Sequence, residues 1–443
     1  MSARRFKLYP ACKDSGVECL GEVPAHWEVK KVKRFCLVRR GASPRPIDDP
    51  IYFDDEGEYA WVRIADVTAS ERYLERTTQR LSNLGKAKSV ALEPGELFVS
   101  IAATVGKPVI TKIKCCIHDG FVYFVGLHEN REFLFYLFSC AETYKGLGKL
   151  GTQVNLNTDA IGDIYLPRPP SAEQDAIVHF LDRETARIDA LVEKKERLIA
   201  LLQEQRTALI TRAVTKGLDP TVPMEDSGVE WLGEIPAHWE VNRTKFAARL
   251  RSGHTPSRQH PEYWQDCTIP WFGLSDVWQI RDGQIEYVYE TAEKISELGL
   301  ANSAARLLPR GTVILSRTAS VGFSAILGVD MATTQDFVNW VCGPTLQPEY
   351  LLYVFRSMQH EFRRLTMGST HQTIYMPDVG DFSTPIPPVP EQDQIVAVIR
   401  KETARIDTLV AKVRDAIDRL KELRTALISA AVTGKIDVRE GVV

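Results

Sequence analysis

Two proline pairs and one lysine turn are the residues of this sequence best placed to form a catalytic motif. An adenine methyltransferase holds its flipped base with N/D-P-P-Y/F, but Arg and Ile precede the pairs Pro169-Pro170 and Pro387-Pro388. A phosphate-binding loop needs G-x-x-x-x-G-K-[S/T], and Lys107 in VGKP lacks the rest of that motif. The sequence therefore predicts neither base methylation nor nucleotide hydrolysis by this chain.

Two further sequence motifs lack the neighbouring residues or elements that their function requires. The segment Gly146–Gly151 matches G-x-G-x-x-G, but it follows a predicted helix instead of a strand and opens no helix. Pro377-Asp378 has no E-x-K after it, so a nuclease core is unsupported. The eight cysteines form no C-x-x-C, and the nine histidines have no metal-ligand spacing with them. We expect reduced, mostly buried thiols and no metal site.

The elements that position any site must come from an ordinary globular composition. The chain has 443 residues, 44% hydrophobic and 26% charged, which predicts two to four domains with real cores. No window approaches a membrane span, and no apolar stretch follows the basic N-terminus, so we expect a cytoplasmic protein. Formal net charge is −3, with +2 on residues 1–220 and −5 on residues 221–443. Binding to nucleic acid would need local patches or partners.

The sequence contains an internal repeat that covers most of the chain. Asp14–Val29 and Asp226–Val241 match at fourteen of sixteen positions, at an offset of 212. Glu173–Val192 and Glu391–Val410 match at thirteen of twenty, at an offset of 218. The order is lead, variable region and long helix, and then the same again. A period of about 215 excludes a short-repeat solenoid or propeller.

The variable regions, 30–168 and 242–387, share only a skeleton. Each opens on a polar segment, GASPR or SGHTPSR, and continues into a Trp-containing strand that ends at Asp66 or Asp276. A strand with a Ser and Gly turn, an aromatic strand and an amphipathic helix follow in both. The alternating apolar runs predict strands, and the last pair has helical spacing. We therefore predict two α/β domains.

Two long helices are the clearest structural signal. Proline-rich segments precede them, and each helix should run for roughly 43 residues, or about 65 Å. Apolar residues recur with heptad spacing, which predicts that the helices pair with each other as an antiparallel coiled coil with pseudo-two-fold symmetry. The alternative is two separate amphipathic helices, each packed on its own domain. The predicted seam residues are Leu181, Ile188, Leu191, Leu202, Leu209, Ile399, Ile406, Leu409, Val413, Leu420 and Leu427.

The doubled lead, DSGVEWLGEIPAHWEV in the second copy, together with EQ…ETARIDTLV and RTALI…AVTG, resembles the specificity subunit of type I restriction-modification systems. The resemblance covers nearly the whole chain and occurs twice. It implies an α+β fold of two α/β target-recognition domains joined by the two helices. The boundaries would be 1–168 for the first lead and domain, 171–217 for the first helix, 218–387 for the second lead and domain, and 389–434 for the second helix. One departure is Cys19, where the second copy has Trp231.

The resemblance also implies a function. Each domain would read one half of a split, asymmetric site in double-stranded DNA, and the helices would act as a spacer and dock two modification subunits. Those subunits would methylate adenine N6, and two restriction subunits would cleave DNA. We expect this chain to be non-catalytic and to bind no cofactor, with S-adenosylmethionine, ATP and Mg²⁺ on its partners, and no membrane. Alternatives are a complex that methylates without cleavage, and a pure coiled-coil scaffold, which would leave the two large domains unexplained.

Given that function, polar side chains in the variable domains are the candidates for contacts with base edges, since Arg pairs with guanine and Asn or Gln with adenine. For any single residue, a turn cap or a surface ion pair is an equally good interpretation. Arg39-Arg40 and Arg363-Arg364 are candidates for phosphate contacts, or a solvated face. The base-contact candidates are Ser43, Arg45, Arg63, Lys107, Gln153, Asn155 and Asn157 in the first domain, and His254, Thr255, Ser257, Arg258, Arg317, Thr370, His371 and Gln372 in the second.

Overall fold

The structure, a computed structural model, describes residues 6–18, 20–145, 156–367 and 372–439. The chain forms two compact units. Unit 1 is made of residues 1–195 and 415–443, and unit 2 of residues 196–414. Each unit therefore contains one variable domain and a part of both long helices, whereas the sequence predicted each helix as a segment of its own.

In unit 1 the variable domain is built on two sheets. The larger is antiparallel except for its last strand, in the order Leu37–Arg40, Phe121–Val125, Leu97–Ser100, Pro108–Thr111 and Tyr73–Leu74. The smaller runs in the order Gln79–Leu81, Tyr59–Val62, Cys115–Ile117 and Val90–Leu92. Two short pairs complete the described strands: Cys12–Asp14 with Glu22–Pro24, and Glu28–Lys31 with Tyr165–Arg168.

Unit 2 repeats this plan. Its larger sheet has the order Ala248–Ser252, Phe337–Cys342, Val313–Ser316, Ser324–Leu327 and Tyr287–Val288. The smaller has the order Glu293–Ile295, Ile269–Phe272 and Ala332–Thr333. The short pairs are Met224–Asp226 with Glu234–Pro236, and Glu240–Arg243 with Ser383–Ile386. The mixed α/β fold predicted from the sequence is confirmed.

Short helices cover the sheets. In unit 1 the α-helices are Ile64–Ala69, Asn83–Ala87, Arg131–Phe138 and Thr158–Asp163, and the 3-10 turns are Val32–Arg34, Pro50–Tyr52 and Ala141–Tyr144. In unit 2 the α-helices are Thr244–Ala247, Glu297–Ala301, Pro348–Ser357, Gln359–Thr366 and Met376–Gly380, and the 3-10 turns are Pro261–Trp264 and Leu274–Gln279.

The acids that end the Trp-containing strands have a local structural role. Asp66 Oδ2 accepts a hydrogen bond from the Arg63 backbone N–H at 2.8 Å, and Asp276 Oδ2 accepts one from Gly273 at 2.9 Å. Each carboxylate thus satisfies a backbone donor where a helical turn begins. This explains why the two variable regions retain an acid at the same place.

The long helices are Ser171–Lys216 and Val389–Val432. They run antiparallel within each unit. In unit 1 the start of the first helix, at Leu181, shares a core with the end of the second, at Leu427. In unit 2 the end of the first, at Ile210, shares a core with the start of the second, at Ile399. Each helix also packs on its own variable domain within these cores, so both interpretations of the sequence hold in part.

The buried face of each long helix alternates steps of three and four residues, which is the spacing of a coiled-coil seam. Interlocking of the seam side chains stays a prediction. Among the predicted seam residues, Leu181, Ile188, Ile399, Ile406 and Leu427 are buried, and Leu191, Leu202, Leu209, Val413 and Leu420 are half-buried.

The structure corrects one seam position. Leu409 is 42% exposed, whereas its neighbour Val410 is 5% exposed and lies on the buried face of the second long helix. Both steps from Ile406, three residues to Leu409 and four to Val410, end on an apolar side chain, so periodicity alone does not separate them. The matching residue of the first helix, Val192, packs on the core of unit 1.

Candidate nucleic-acid interface

In unit 1, two of the segments predicted to contact bases, those of Ser43 and of Lys107, lie at the edge of the larger sheet that is formed by the ends of its strands. Neighbouring strands are antiparallel, so the end of Leu37–Arg40, the start of Phe121–Val125 and the end of Leu97–Ser100 lie at the same edge. The polar opening segment therefore lies beside the turn at Asp119. The equivalent edge of unit 2 holds the end of Ala248–Ser252 and the start of Phe337–Cys342.

Asp119 organises the edge in unit 1. Its Oδ1 accepts a hydrogen bond from the Ser43 hydroxyl at 2.8 Å, and its Oδ2 lies 3.1 Å from Arg45 Nη2. Arg40 Nε donates to the Asp119 carbonyl. Burial alone would raise the pKa of Asp119, but the Ser43 hydroxyl, its own backbone N–H and Arg45 outweigh it and hold that pKa below the usual value. The carboxylate stays charged and restrains the 72% exposed Arg45 side chain.

Unit 2 has the same contact with different chemistry. Thr255 Oγ1 donates to Gln335 Oε1 at 2.6 Å, which matches the Ser43–Asp119 bond. The Gln335 carbonyl in turn accepts a hydrogen bond from Arg317 Nε at 3.1 Å. Arg317 also donates to the Ile374 carbonyl at 3.2 Å. Three loops of unit 2 are thus joined through Gln335 and Arg317.

Gln372 belongs to the same group of loops, since its carbonyl accepts a hydrogen bond from the Ala319 N–H at 2.9 Å. Ala319 has a φ of 60°, and Ala103, which follows the equivalent strand of unit 1, has a φ of 54°. Left-handed backbone at a residue other than glycine is strained. Both turns therefore keep an unusual backbone at the edge where the polar loops meet.

Arg258 is held on two sides. Its guanidinium lies 3.7 Å from the centre of the Trp264 ring, and Nη2 lies 2.6 Å from Glu293 Oε2. A stacked, hydrogen-bonded guanidinium loses little freedom when it binds a planar acceptor. Close by, the Ser257 hydroxyl accepts a bond from the Gln259 N–H at 3.3 Å, and the His254 carbonyl accepts one from Trp271 Nε1 at 3.2 Å.

Several predicted residues have local bonds of their own. Asn157 Oδ1 caps a helix by accepting from the Ala160 N–H at 2.8 Å. Lys107 Nζ donates to the Thr68 carbonyl at 2.9 Å, and burial lowers the pKa of Lys107. Arg63 is exposed beside the turn capped by Asp66. Gln153, Asn155, Thr370 and His371, as well as the Gly146–Gly151 motif, lie outside the described residues.

The sequence did not single out Asp119, Gln335 or Trp278. Asp119 and Gln335 are found by aligning the strands of the two units, since each lies two residues before the start of the aromatic strand. Trp278 is 72% exposed at the position that corresponds to Thr68, whose carbonyl binds Lys107. An exposed indole offers a stacking surface for a base. Strand alignment and exposure identify these residues, and no motif in the sequence does so.

The proposed phosphate contacts differ from each other. Arg39 and Arg251 are exposed at matching positions of the two edge strands, opposite Tyr123 and Asn339. Arg364 instead pairs with Glu361 on the same helix, at 2.8 Å, so its interpretation as part of a solvated face is the better one. Arg39 stays a candidate for contact with the DNA backbone, and Arg251, which the sequence analysis did not single out, occupies the matching position in unit 2.

The repeated His-Trp pairs of the leads hold the long helices. His26 Nε2 lies 2.7 Å from Glu173 Oε2, and His238 Nε2 lies 2.9 Å from Glu391 Oε2. Trp239 Nε1 donates to Glu391 at 3.1 Å. In the described ranges, no group of three or more His, Cys, Asp or Glu could hold a metal ion. None of the helices described there is long and apolar enough to cross a membrane.

The chain matches the model of the type I restriction modification DNA specificity domain twice, over residues 24–200 and 236–419. The putative type I restriction enzyme MjaX specificity subunit of Methanocaldococcus jannaschii is 20% identical over 95% of this chain and 96% of its own length. The MjaIX specificity subunit of the same organism is 29% identical over 38% of each chain.

Two solved structures share the fold. A chain from work on complex assembly and conformational transition of the type I R-M system has a TM-score of 0.64 and 18% identity, over 94% of this chain and 99% of its own. The HsdS subunit from Thermoanaerobacter tengcongensis has a TM-score of 0.54 and 17% identity, over 94% and 98%.

Proposed function

Because the chain belongs to the family of type I restriction-modification DNA specificity domains, we propose that its two variable domains each read one half of a bipartite, asymmetric DNA site. The chain is a DNA sequence-specificity subunit. The observation that carries the proposal is the repeated loop cluster with unequal side chains. Asp119 in unit 1 corresponds to Gln335 in unit 2, while the hydroxyl that binds each of them is kept. One scaffold with two sets of polar groups suits a site whose halves differ.

The chemistry at the two edges differs in a way that bases can distinguish. Unit 1 presents the Arg45 guanidinium, restrained by a carboxylate, and guanidinium pairs bidentately with guanine. Unit 2 presents the Arg258 guanidinium, restrained by Trp264 and Glu293, with Gln335 beside Thr255. Exposed Arg39 and Arg251 on the edge strands would contact phosphates and fix the register of each domain on the duplex.

Methylation and cleavage would be carried out by partners. The chain would act without catalytic residues of its own and would direct two modification subunits, which hold S-adenosylmethionine and methylate adenine N6. Two restriction subunits, with ATP and Mg²⁺, would complete the complex in the cytoplasm. The relatives are named as restriction enzyme subunits, so a complex that only methylates is the less favoured alternative. The near-neutral charge of the chain agrees with DNA binding that is shared with partners.

The test is methylation of a random-sequence plasmid library by the chain and its modification subunits expressed together. We expect N6-methyladenine in one sequence with two specified parts and an unspecified gap. The purified chain alone should show neither methylation nor tight specific binding. A continuous recognition sequence, or methylation by the chain alone, would contradict the proposal.

A further inference from the structure

In each unit an ion pair at the same position joins the variable domain to the first third of its long helix. In unit 1, Arg72 Nη2 of the domain lies 2.5 Å from Asp182 Oδ1 of the first helix. In unit 2, Arg400 Nη2 of the second helix lies 2.6 Å from Glu286 Oε2 of the domain. The domain carries the positive charge in unit 1 and the negative charge in unit 2.

The two pairs occupy equivalent positions. Asp182 and Arg400 are 218 residues apart, which is the offset of the helix repeat. Arg72 and Glu286 each precede the edge strand of the larger sheet. Their carbonyls accept equivalent hydrogen bonds, from the Ile110 N–H at 2.9 Å and the Ile326 N–H at 2.7 Å. The polarity of a single contact is therefore reversed between the copies.

The surroundings change with the polarity. In unit 1, Tyr136 donates to Asp182 Oδ1 at 2.6 Å, and the equivalent Tyr353 of unit 2 donates to Glu286 Oε1 at 2.5 Å. The tyrosine binds the carboxylate whichever side of the contact carries it. A second carboxylate is common to both units, since Arg72 also pairs with Glu132 at 3.1 Å and Arg400 with the equivalent Glu349 at 3.6 Å.

Burial gives the contact its discriminating power. The domain-side residues Arg72 and Glu286 are 18% and 17% exposed, and the helix-side residues Asp182 and Arg400 are 43% and 44% exposed. A like charge opposite a mostly buried charged group is disfavoured, because neither group is fully solvated. The reversed contact would set Arg72 against Arg400, or Glu286 against Asp182.

We propose that these two ion pairs, because their polarities are opposite, match each variable domain to its own long helix. They would disfavour exchange of the two domains between the helices. The natural order of the domains along the chain is thereby favoured by a contact between each domain and its helix. This inference concerns docking alone and does not depend on which DNA is bound, so its test uses no DNA.

The test exchanges charges in the full chain and measures hydrogen exchange of the backbone amides around Asp182. Asp182→Arg should speed exchange there on the order of tenfold, because Arg72 then faces a like charge. Adding Arg72→Glu recreates the polarity of unit 2 and should restore most of the protection. Arg187→Glu, an exposed charge reversal on the same helix, should leave it unchanged. Equal exchange in the single and double variants would overturn the proposal.

A chimera tests discrimination directly. Residues 242–387 replace residues 30–168, with either Asp182 or Asp182→Arg in the first helix. We expect the transplanted domain to resist limited proteolysis with Asp182→Arg and to be cut more readily with Asp182, where Glu286 meets a carboxylate. Equal resistance of the two chimeras would also overturn it. If neither chimera folds, the hydrogen-exchange comparison of Asp182→Arg with and without Arg72→Glu tests the proposal by itself.

Discussion

Arg424 Nε donates a hydrogen bond to Asp189 Oδ1 at 3.0 Å, and this pair joins the two long helices within unit 1. In unit 2 the equivalent residues, Arg206 and Asp407, form an ion pair at 3.4 Å. Arg206 and Arg424 are 218 residues apart, as are Asp189 and Asp407. The residue numbers of each pair have the same sum, so the helices meet in one antiparallel register in both units.

The seam assignment predicts unequal effects from adjacent residues. Val410→Ala should lower the free energy of unfolding by about 0.5–3 kcal/mol, because Val410 is 5% exposed. Leu409→Ala should change it by no more than about 0.5 kcal/mol, because Leu409 is 42% exposed. Chemical denaturation of both variants is the measurement. A larger loss of unfolding free energy in Leu409→Ala than in Val410→Ala would show that Leu409, and not Val410, lies in the seam.

Arg45→Ala should reduce discrimination at one half of the recognised site only. The expected loss is about 1–3 kcal/mol at a single base pair, with the other half unaffected. Asp119→Asn should cause a smaller loss, because it weakens the restraint on Arg45 without removing the guanidinium. Methylation rates on single-substitution duplexes, measured with the modification subunits present, check this. Loss spread over both halves would contradict the assignment.

Arg39→Ala should weaken binding to all duplexes by a similar factor and make the slope of log affinity against log salt less steep by about 0.9, as expected for one phosphate contact. Arg364→Ala is the matched control, since Arg364 is already paired with Glu361, and its slope should not change. Titrations of the complete complex at several salt concentrations measure both. Sequence-dependent loss for Arg39→Ala would make it a base contact.

The ion pairs Arg72–Asp182 and Arg400–Glu286 predict that the protein loses stability in acid. Burial alone would raise the pKa of Asp182 and of Glu286, but the bonds from Arg72 and Tyr136, and from Arg400 and Tyr353, outweigh it and lower both. A carboxyl group with a lowered pKa in the folded state stabilises it above the pKa of the unfolded chain, about 3.9 for Asp and 4.3 for Glu. That contribution is lost as pH falls below these values.

Thermal unfolding between about pH 5 and pH 2.5 measures this effect. Asp182→Asn should reduce the pH dependence, because its side chain does not titrate. Asp415→Asn, at an exposed carboxylate on the second long helix, is the control and should reduce it less. The same pH dependence in both variants would show that Asp182 does not contribute.

The sequence predicted the elements and the two copies, because apolar spacing, proline stops and the repeat are local signals. It did not predict the contacts between loops. Nothing in the spacing of Ser43 and Asp119 connects them, and only the antiparallel pairing of their strands brings them together. The reversal between Arg72 and Glu286 was hidden for the same reason, since both lie in regions without a readable alignment.

Unit 1 is discontinuous, and this bears on the order in which the chain can fold during synthesis. Leu181 and Ile188 share their core with Leu427 and Val432, which are made more than 200 residues later. At 5–20 residues per second, residues 196–414 take roughly 10–45 s to be translated. Unit 2 is continuous and can complete its core within that interval. The apolar face of the first long helix in unit 1 thus stays uncovered until the segment from residue 415 onward has been made.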